Sequence, residues 1–286
     1  MKQIGQELLQ KVITSRPLNS HKGDYGRLLL IGGTYPYGGA IIMAALAAVR
    51  SGAGLVTAAT DRENIAALHS RLPEAMAFDL RETDRLFEQM ARADVVLIGP
   101  GLAEGDFEKA LLSKLLQEAG EDQVLIVDGG AISLFSQAAL SFLKAQTIFT
   151  PHQKEWERLS GLPVAEQTEA ANRAAVNAFP LGTILVQKKH GTAIYQSGSS
   201  ESWQLTAGGP YQATGGMGDT LAGMIAAFAG QFKEQSLLDR VSAATLLHSV
   251  IADALSQEAY VVLPTDISRE IPRWMKLLCE EKTDFS

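Results

Sequence analysis

Short apolar runs that end in glycine, proline or a charged residue are the feature that most constrains the fold of this chain. The runs contain Val, Ile and Leu without polar alternation, which is typical of buried parallel strands. Longer helical patterns lie between them, and this alternation predicts a parallel sheet with helices on both faces. The predicted strands are residues 27–31, 55–59, 95–98, 124–127, 147–149 and 184–186.

The helical patterns and one hairpin complete the predicted architecture. Neither a linker rich in Pro or Ser nor a block of charge divides the chain, so we expect one domain over residues 1–286. Residues 192–195 and 202–205 predict an antiparallel hairpin. The predicted helices are residues 40–50, 107–118, 153–161, 166–178, 220–229 and 240–255.

Glycine, proline and charged residues follow the predicted strands at their carboxyl ends. In open α/β sheets the ligand crevice lies at this edge. We therefore expect the active site there, where five segments meet. They begin at Gly32, Gly99, Asp128, Thr150 and Lys188.

Charge and cysteine content exclude several function classes. The net charge is −7, and a protein that wraps a nucleic acid needs an excess of Lys and Arg. A single cysteine, Cys279, excludes a disulfide framework and a zinc site built from several cysteines.

The N-terminus lacks the apolar core of a signal peptide, and the longest apolar stretch, residues 38–49, is too short to span a bilayer. We expect a soluble cytoplasmic protein.

A glycine-rich loop, residues 214–219, directly precedes a predicted helix. Its three glycines let backbone N–H groups approach an anion, and the helix N-terminus adds partial positive charge. Asp219 has two alternative roles here. It complements the helix dipole, or it acts as a base beside a bound phosphate.

Five motifs in order resemble the NAD(P)H-hydrate dehydratases of the ribokinase-like superfamily. They are residues 21–33, 50–56, 98–102, 150–155 and 213–219. The resemblance implies a ribokinase-like three-layer α/β/α sandwich with a mostly parallel central sheet. The sequence departs from the family pattern after the fourth strand, which is followed by Asp128, Gly129 and Gly130, and at residues 188–191.

The resemblance also implies an activity and a set of site residues. The activity is ADP- or ATP-dependent dehydration of the S epimer of hydrated NADH and NADPH, with Mg²⁺ bridging the phosphates. Asp219 is the catalytic residue, and the sequence gives no protein ligand to a metal. The implied substrate-binding residues are Ala40, Gly101, His152 and Asp219. The implied nucleotide-binding residues are Lys188, Lys189, His190, Gly191, Thr192 and Gly218. The implied anion hole is Gly215, Gly216, Met217 and Gly218.

The resemblance further implies a homotetramer and a separate NAD(P)H-hydrate epimerase, because the chain has no room for an epimerase domain. Two alternatives remain open. One is a small-molecule kinase of the same superfamily that acts on a thiamine precursor or a vitamin B6 alcohol. The other is a nucleotide sensor without catalysis, against which an intact Asp219 argues.

Individual residues give four local predictions. Thr150 as N-cap, Pro151 at the first helical position and Gln153 at the third predict a capped helix with His152 in its first turn. Lys188, after a buried strand, is either a phosphate-binding point charge or an ordinary surface lysine. The glycines at 32–33 and 38–39 lack the G-x-G-x-x-G spacing of a Rossmann dinucleotide site. His248 lies on an apolar helix face and is interpreted as a core histidine.

Overall fold

A ten-stranded sheet forms the centre of the computed structural model, which describes residues 1–137 and 144–280. Within these ranges β9 runs antiparallel to its neighbours, and every other strand pair is parallel. The spatial order is β1-β10-β9-β8-β7-β6-β5-β2-β3-β4. The strands are β1 Lys2–Ile4, β2 Arg27–Ile31, β3 Leu55–Thr60, β4 Met76–Asp79, β5 Val95–Ile98, β6 Val124–Val127, β7 Gln146–Phe149, β8 Ile184–Gln187, β9 Ala193–Gln196 and β10 Ser202–Leu205.

Helices cover both faces of the sheet and bury two apolar cores. Successive residues of a strand point to opposite faces, so Leu28 and Leu30 enter one core while Leu29 and Ile31 enter the other. The first core packs against α1 Glu7–Val12, α2 Gly38–Arg50, α3 Arg62–Arg71, α9 Met217–Gly230, α10 Leu237–Leu255 and α11 Pro264–Glu280. The second packs against α4 Thr83–Met90, α5 Asp106–Glu118, α6 Gly129–Gln137, α7 Gln153–Ser160 and α8 Glu169–Val176. The predicted three-layer α/β/α fold is confirmed.

The strand order reverses between β2 and β5, where the loops that follow the two strands meet. The N–H of Gly33 donates to the carbonyl of Pro100 at 2.8 Å, and Thr34 N–H donates to the carbonyl of Gly101 at 2.8 Å. A reversal of this kind opens a crevice at the carboxyl edge of the sheet. The loops that were expected to carry the site therefore share one edge.

All six predicted parallel strands and the hairpin are present, with small shifts at their ends. The helix predicted at 220–229 begins earlier, at Met217, so the end of the glycine loop is already helical. Over the described ranges, no helix has the length and hydropathy that a membrane crossing requires.

Candidate active site

The glycine loop ends at the N-terminus of α9. Gly216 is the N-cap residue and adopts a left-handed conformation with φ of 95°, which a side chain would disfavour. Met217, Gly218 and Asp219 then form the first turn, where backbone N–H groups have no intrahelical acceptor. Among residues 1–137 and 144–280, no side chain caps this helix. The first turn can therefore accept an anion.

Lys188 lies directly against this turn. A methyl group at position 218 would lie 3.0 Å from the Lys188 Nζ. The same Nζ donates to Oδ1 of Asp128 at 2.8 Å, and the Thr150 hydroxyl donates to that oxygen at 2.6 Å. The Lys188 side chain is only 21% exposed. The interpretation of Lys188 as an ordinary surface lysine is therefore wrong.

Three carboxylates surround this one ammonium group. Burial alone would lower the pKa of Lys188. The negative charges of Asp128 and then of Glu155 outweigh burial and raise this pKa, and the charge of Asp219 adds to the effect. Burial, reinforced by the charge of Asp128, raises the pKa of Asp219 to about 6. Burial also raises the pKa of Glu155, against the opposing charge of Lys188. Because of burial first and the neighbouring negative charge second, Asp219 and Glu155 hold their protons more tightly than free carboxylates do.

His152 is the N-cap of α7, and the predicted cap at Thr150 is wrong. The His152 Nδ1 accepts from the N–H groups of Lys154 and Glu155, both at 3.1 Å, and Oε2 of Glu155 accepts from His152 N–H at 2.7 Å. Thr150 and Pro151 instead precede the helix, and the Lys188 N–H donates to the Pro151 carbonyl at 2.8 Å. This pairing holds the segment along β8 and delays the helix by two residues.

The double role of His152 allows a matched pair of substitutions. Asn caps a helix as well as any residue, whereas Ala does not. We expect His152→Ala to lose about 1 kcal/mol of stability and His152→Asn to lose little. If the imidazole also contacts the substrate, both variants raise the KM for the hydrated dinucleotide and leave nucleotide affinity nearly unchanged. Thermal unfolding and initial-rate kinetics separate the two roles, and an unchanged KM in both variants would limit His152 to capping.

Ala40 and Gly101 meet at the crevice between β2 and β5. Ala40 lies in the first turn of α2, and Gly101 lies in the loop after β5. A Cβ on Gly101 would lie 2.9 Å from the Ala40 Cβ. The structure thus brings together two of the four residues that the resemblance assigns to the substrate.

Lys188 also lines a cavity of about 420 Å³, which is within the size range of small-molecule sites. The whole predicted nucleotide segment, residues 188–192, lines it together with Met217 and Gly218. Ala40, Gly101, His152 and Asp219 do not line it. Further lining residues that sequence reasoning did not place at a site are Gln212, Thr245, His248 and Ser249.

Gly218 tests whether this turn approaches a phosphate. Its backbone is helical, so Gly218→Ala is compatible with the fold, but the added methyl enters the space beside Lys188 Nζ. We expect about tenfold weaker nucleotide binding, which corresponds to one charge-assisted hydrogen bond, and no loss of thermal stability. Gly120→Ala is the matched control, because its methyl would meet only the Gln123 side chain, at 3.8 Å from Oε1 and 4.0 Å from Cγ. Equal nucleotide affinity of the two variants by calorimetry would contradict a phosphate site at this turn.

Comparison with known proteins identifies the family to which this chain belongs. A family model described as NAD(P)H-hydrate dehydratase matches residues 28–273. The chain belongs to the NAD(P)H-hydrate dehydratase family. An ADP-dependent (S)-NAD(P)H-hydrate dehydratase of Streptococcus pneumoniae is 60% identical over 282 residues, which cover 99% of this chain and 97% of the relative.

Solved structures agree with this family assignment. A ribokinase-like superfamily protein of Enterococcus faecalis superposes with a TM-score of 0.93 at 45% identity, covering 98% of this chain and 96% of the other. An ADP/ATP-dependent NAD(P)H-hydrate dehydratase of Bacillus subtilis, co-crystallised with ATP and Mg²⁺, has a TM-score of 0.83 at 28% identity. The coverage is 96% of this chain and 97% of that one. The ribokinase-like fold expected from the motifs is confirmed.

Proposed function

We propose that this member of the NAD(P)H-hydrate dehydratase family uses ADP or ATP to dehydrate (S)-NADHX and (S)-NADPHX to NADH and NADPH. The observation that carries the proposal is the Asp219 carboxylate in the first turn of α9, beside the Lys188 ammonium. Lys188 also borders the cavity of the predicted nucleotide segment. The names of relatives with 45–60% identity favour dehydration over the small-molecule kinase alternative.

The chemistry needs an activated leaving group, because hydroxide leaves poorly. Asp219 accepts the proton of the ring hydroxyl while the hydroxyl oxygen attacks the terminal phosphorus of the nucleotide. The bond from that phosphorus to the rest of the nucleotide breaks, and the nucleotide leaves with one phosphate fewer. The ring nitrogen then supplies an electron pair that expels phosphate, and loss of a proton from the adjacent carbon restores the double bond. The N–H groups of Gly218 and its neighbours, with Lys188, hold the transferring phosphoryl group.

The acids beside Lys188 suit Mg²⁺, which prefers oxygen ligands. Among the described residues no group of three or more His, Cys, Asp or Glu side chains could hold a metal ion. An ion held mainly by phosphate oxygens needs only one or two carboxylates. Asp128 and Glu155 would hold it, and the ion would neutralise charge on the phosphates.

Three wider features belong to the same proposal. We expect the protein to act in the cytoplasm and to assemble as a homotetramer. We also expect a separate NAD(P)H-hydrate epimerase to convert the R epimer into the substrate. No role for nucleic acid or a membrane is proposed.

The decisive experiment is incubation of the protein with (S)-NADHX, Mg²⁺ and either ADP or ATP. We expect the absorbance and fluorescence of the reduced nicotinamide to return, with release of phosphate. A stable phosphate ester of a vitamin alcohol, without restored NADH, would instead favour the kinase. Nucleotide binding without turnover of any of these substrates would favour the sensor.

A further inference from the structure

The loop of residues 207–213 contributes a large part of the wall of the cavity that Lys188 lines. Tyr211 is not among the residues that line the cavity, and its hydroxyl instead donates a hydrogen bond to Oδ1 of Asp253. Asp253 does not line this cavity either. The residues of the loop that do line it are Ala207, Gly208, Gly209, Pro210, Gln212 and Ala213.

Asp253, on α10, binds this loop at two points. Its Oδ1 accepts from the Gly208 N–H at 2.8 Å and from the Tyr211 hydroxyl. Hydrogen bonds to a carboxylate are stronger than those between neutral groups. Burial, followed by the hydrogen bond and the charge of Asp253, raises the pKa of Tyr211 to about 12, so the hydroxyl keeps its proton and donates at physiological pH. One carboxylate thus joins two points of the loop to a long helix.

Contacts within the loop fix its local shape but not its position on the protein. The Gln212 N–H donates to the Gly209 carbonyl at 3.1 Å, and the Gly209 N–H donates to Oε1 of Gln212 at 3.2 Å. The position of the loop depends on Asp253 and on the Val262 N–H, which donates to the Tyr211 carbonyl at 2.9 Å. Because two adjacent glycines allow many backbone conformations, we expect the loop to leave this position more often when the carboxylate is removed.

A binding loop that must be ordered when its ligand arrives lowers the affinity, and a loop that is already in place avoids this cost. We infer that Asp253 is a positioning residue for the adenine nucleotide, because it holds residues 207–213 in the conformation that receives the ligand. It acts through Gly208 and Tyr211 and does not touch the nucleotide. The inference rests on the proposed function for the identity of the ligand.

The test measures the dissociation constant of ADP by calorimetry, with Mg²⁺ and without hydrated dinucleotide, well below the unfolding temperature of each variant. Asp253→Ala removes both contacts to the loop, and we expect ADP to bind about 5- to 50-fold more weakly, as loss of two hydrogen bonds predicts. Asp253→Asn keeps an oxygen that can accept both bonds and should bind ADP within about threefold of wild type. Tyr211→Phe removes one bond and should weaken ADP by about 2- to 10-fold.

A double variant and a control exclude a merely structural role. Tyr211→Phe should have no further effect on ADP affinity in the Asp253→Ala background, because the bond that it removes is already absent. Asp239→Ala is the matched control on the same helix, since Asp239 pairs with Lys11 at 2.8 Å and does not line the cavity. We expect it to change thermal stability and to leave the ADP affinity of the folded protein unchanged.

Three outcomes overturn the inference. The first is equal ADP affinity of wild type and Asp253→Ala, or of wild type and Tyr211→Phe should Asp253→Ala not fold. The second is an additive effect of the two substitutions, which would mean that Tyr211 does not act through Asp253. The third is absence of ADP binding, which would overturn the proposed function as well. If ADP binds with the expected pattern while (S)-NADHX is not dehydrated, the proposed function fails and the role of Asp253 stands.

Discussion

Asp219→Asn is expected to lower kcat by roughly 10²–10⁴-fold, the usual contribution of a positioned general base. Asn keeps the shape of the side chain and removes its basic charge. In a purely structural role Asp219 would only complement the dipole of α9 from its first turn, and its replacement would leave turnover almost unchanged. Nucleotide affinity should remain close to wild type, because the backbone of the first turn of α9 is unchanged. Single-turnover kinetics with (S)-NADHX and ADP measure the effect, and near-wild-type turnover would contradict a catalytic role.

The pH dependence gives an independent signature of the same residue. An ordinary Asp side chain would be ionised throughout the accessible range, but burial and then Asp128 raise the pKa of Asp219 to about 6. The base must be ionised to accept a proton, so kcat/KM of the wild type should fall as the pH decreases through about 6. Asp219→Asn should lack this acidic limb in its residual activity. A flat wild-type profile between pH 5 and 7.5 would argue against Asp219 as the base.

The same substitution should stabilise the fold at neutral pH. The pKa of Asp219 is higher in the folded protein, at about 6, than its ordinary value of 3.8. The folded state therefore binds the proton more tightly, and ionisation destabilises it. This penalty is absent below about pH 3.8, grows between pH 3.8 and 6, and is complete above pH 6. We expect Asp219→Asn to gain about 1–3 kcal/mol at pH 7.5 and nothing at pH 3.5, as measured by denaturant unfolding.

The sequence predicted the centre of the sheet well because buried parallel strands are continuous apolar runs. The predicted bounds of β5 and β6 agree with the structure at both ends, because the apolar run of β5 stops at Gly99 and that of β6 stops at Asp128. β4 was not predicted, because it is a short edge strand whose first residues, Met76 and Ala77, are not fully buried. α11 was also not predicted, and it contains Pro272, a residue that ordinarily breaks a helix.

The candidate site was only partly predictable, because its electrostatics depend on residues far apart in the chain. Asp128 and Glu155 were present in the motifs, yet nothing local showed that both face Lys188. The available signal for Asp128 was an acid directly after a buried strand, at the edge where ligands bind. His248 is buried, as its apolar helix face indicated, but its place in the cavity wall required the loop of Gly209 and Gln212 to fold over it.

Lys188→Met is expected to reduce both nucleotide binding and stability. The lost charge-assisted contact to phosphate corresponds to about 10- to 150-fold in the dissociation constant for ADP. Stability should fall by about 3–5 kcal/mol, because Asp128 loses its partner at 2.8 Å and three carboxylates remain around an uncharged side chain. Lys154→Met is the control, since Lys154 is 67% exposed and its ion pair with Glu157 contributes little.

A second substitution separates the two effects of Lys188. In Lys188→Met with Asp128→Asn, the unpaired charge at position 128 is gone, while Asn still accepts from the Thr150 hydroxyl. We expect this double variant to recover most of the lost stability and none of the lost ADP affinity, because the ammonium group beside Gly218 is still absent. Calorimetry with ADP and denaturant unfolding give the two measurements. Recovery of ADP affinity together with stability would mean that Lys188 neutralises Asp128 and has no direct part in holding phosphate.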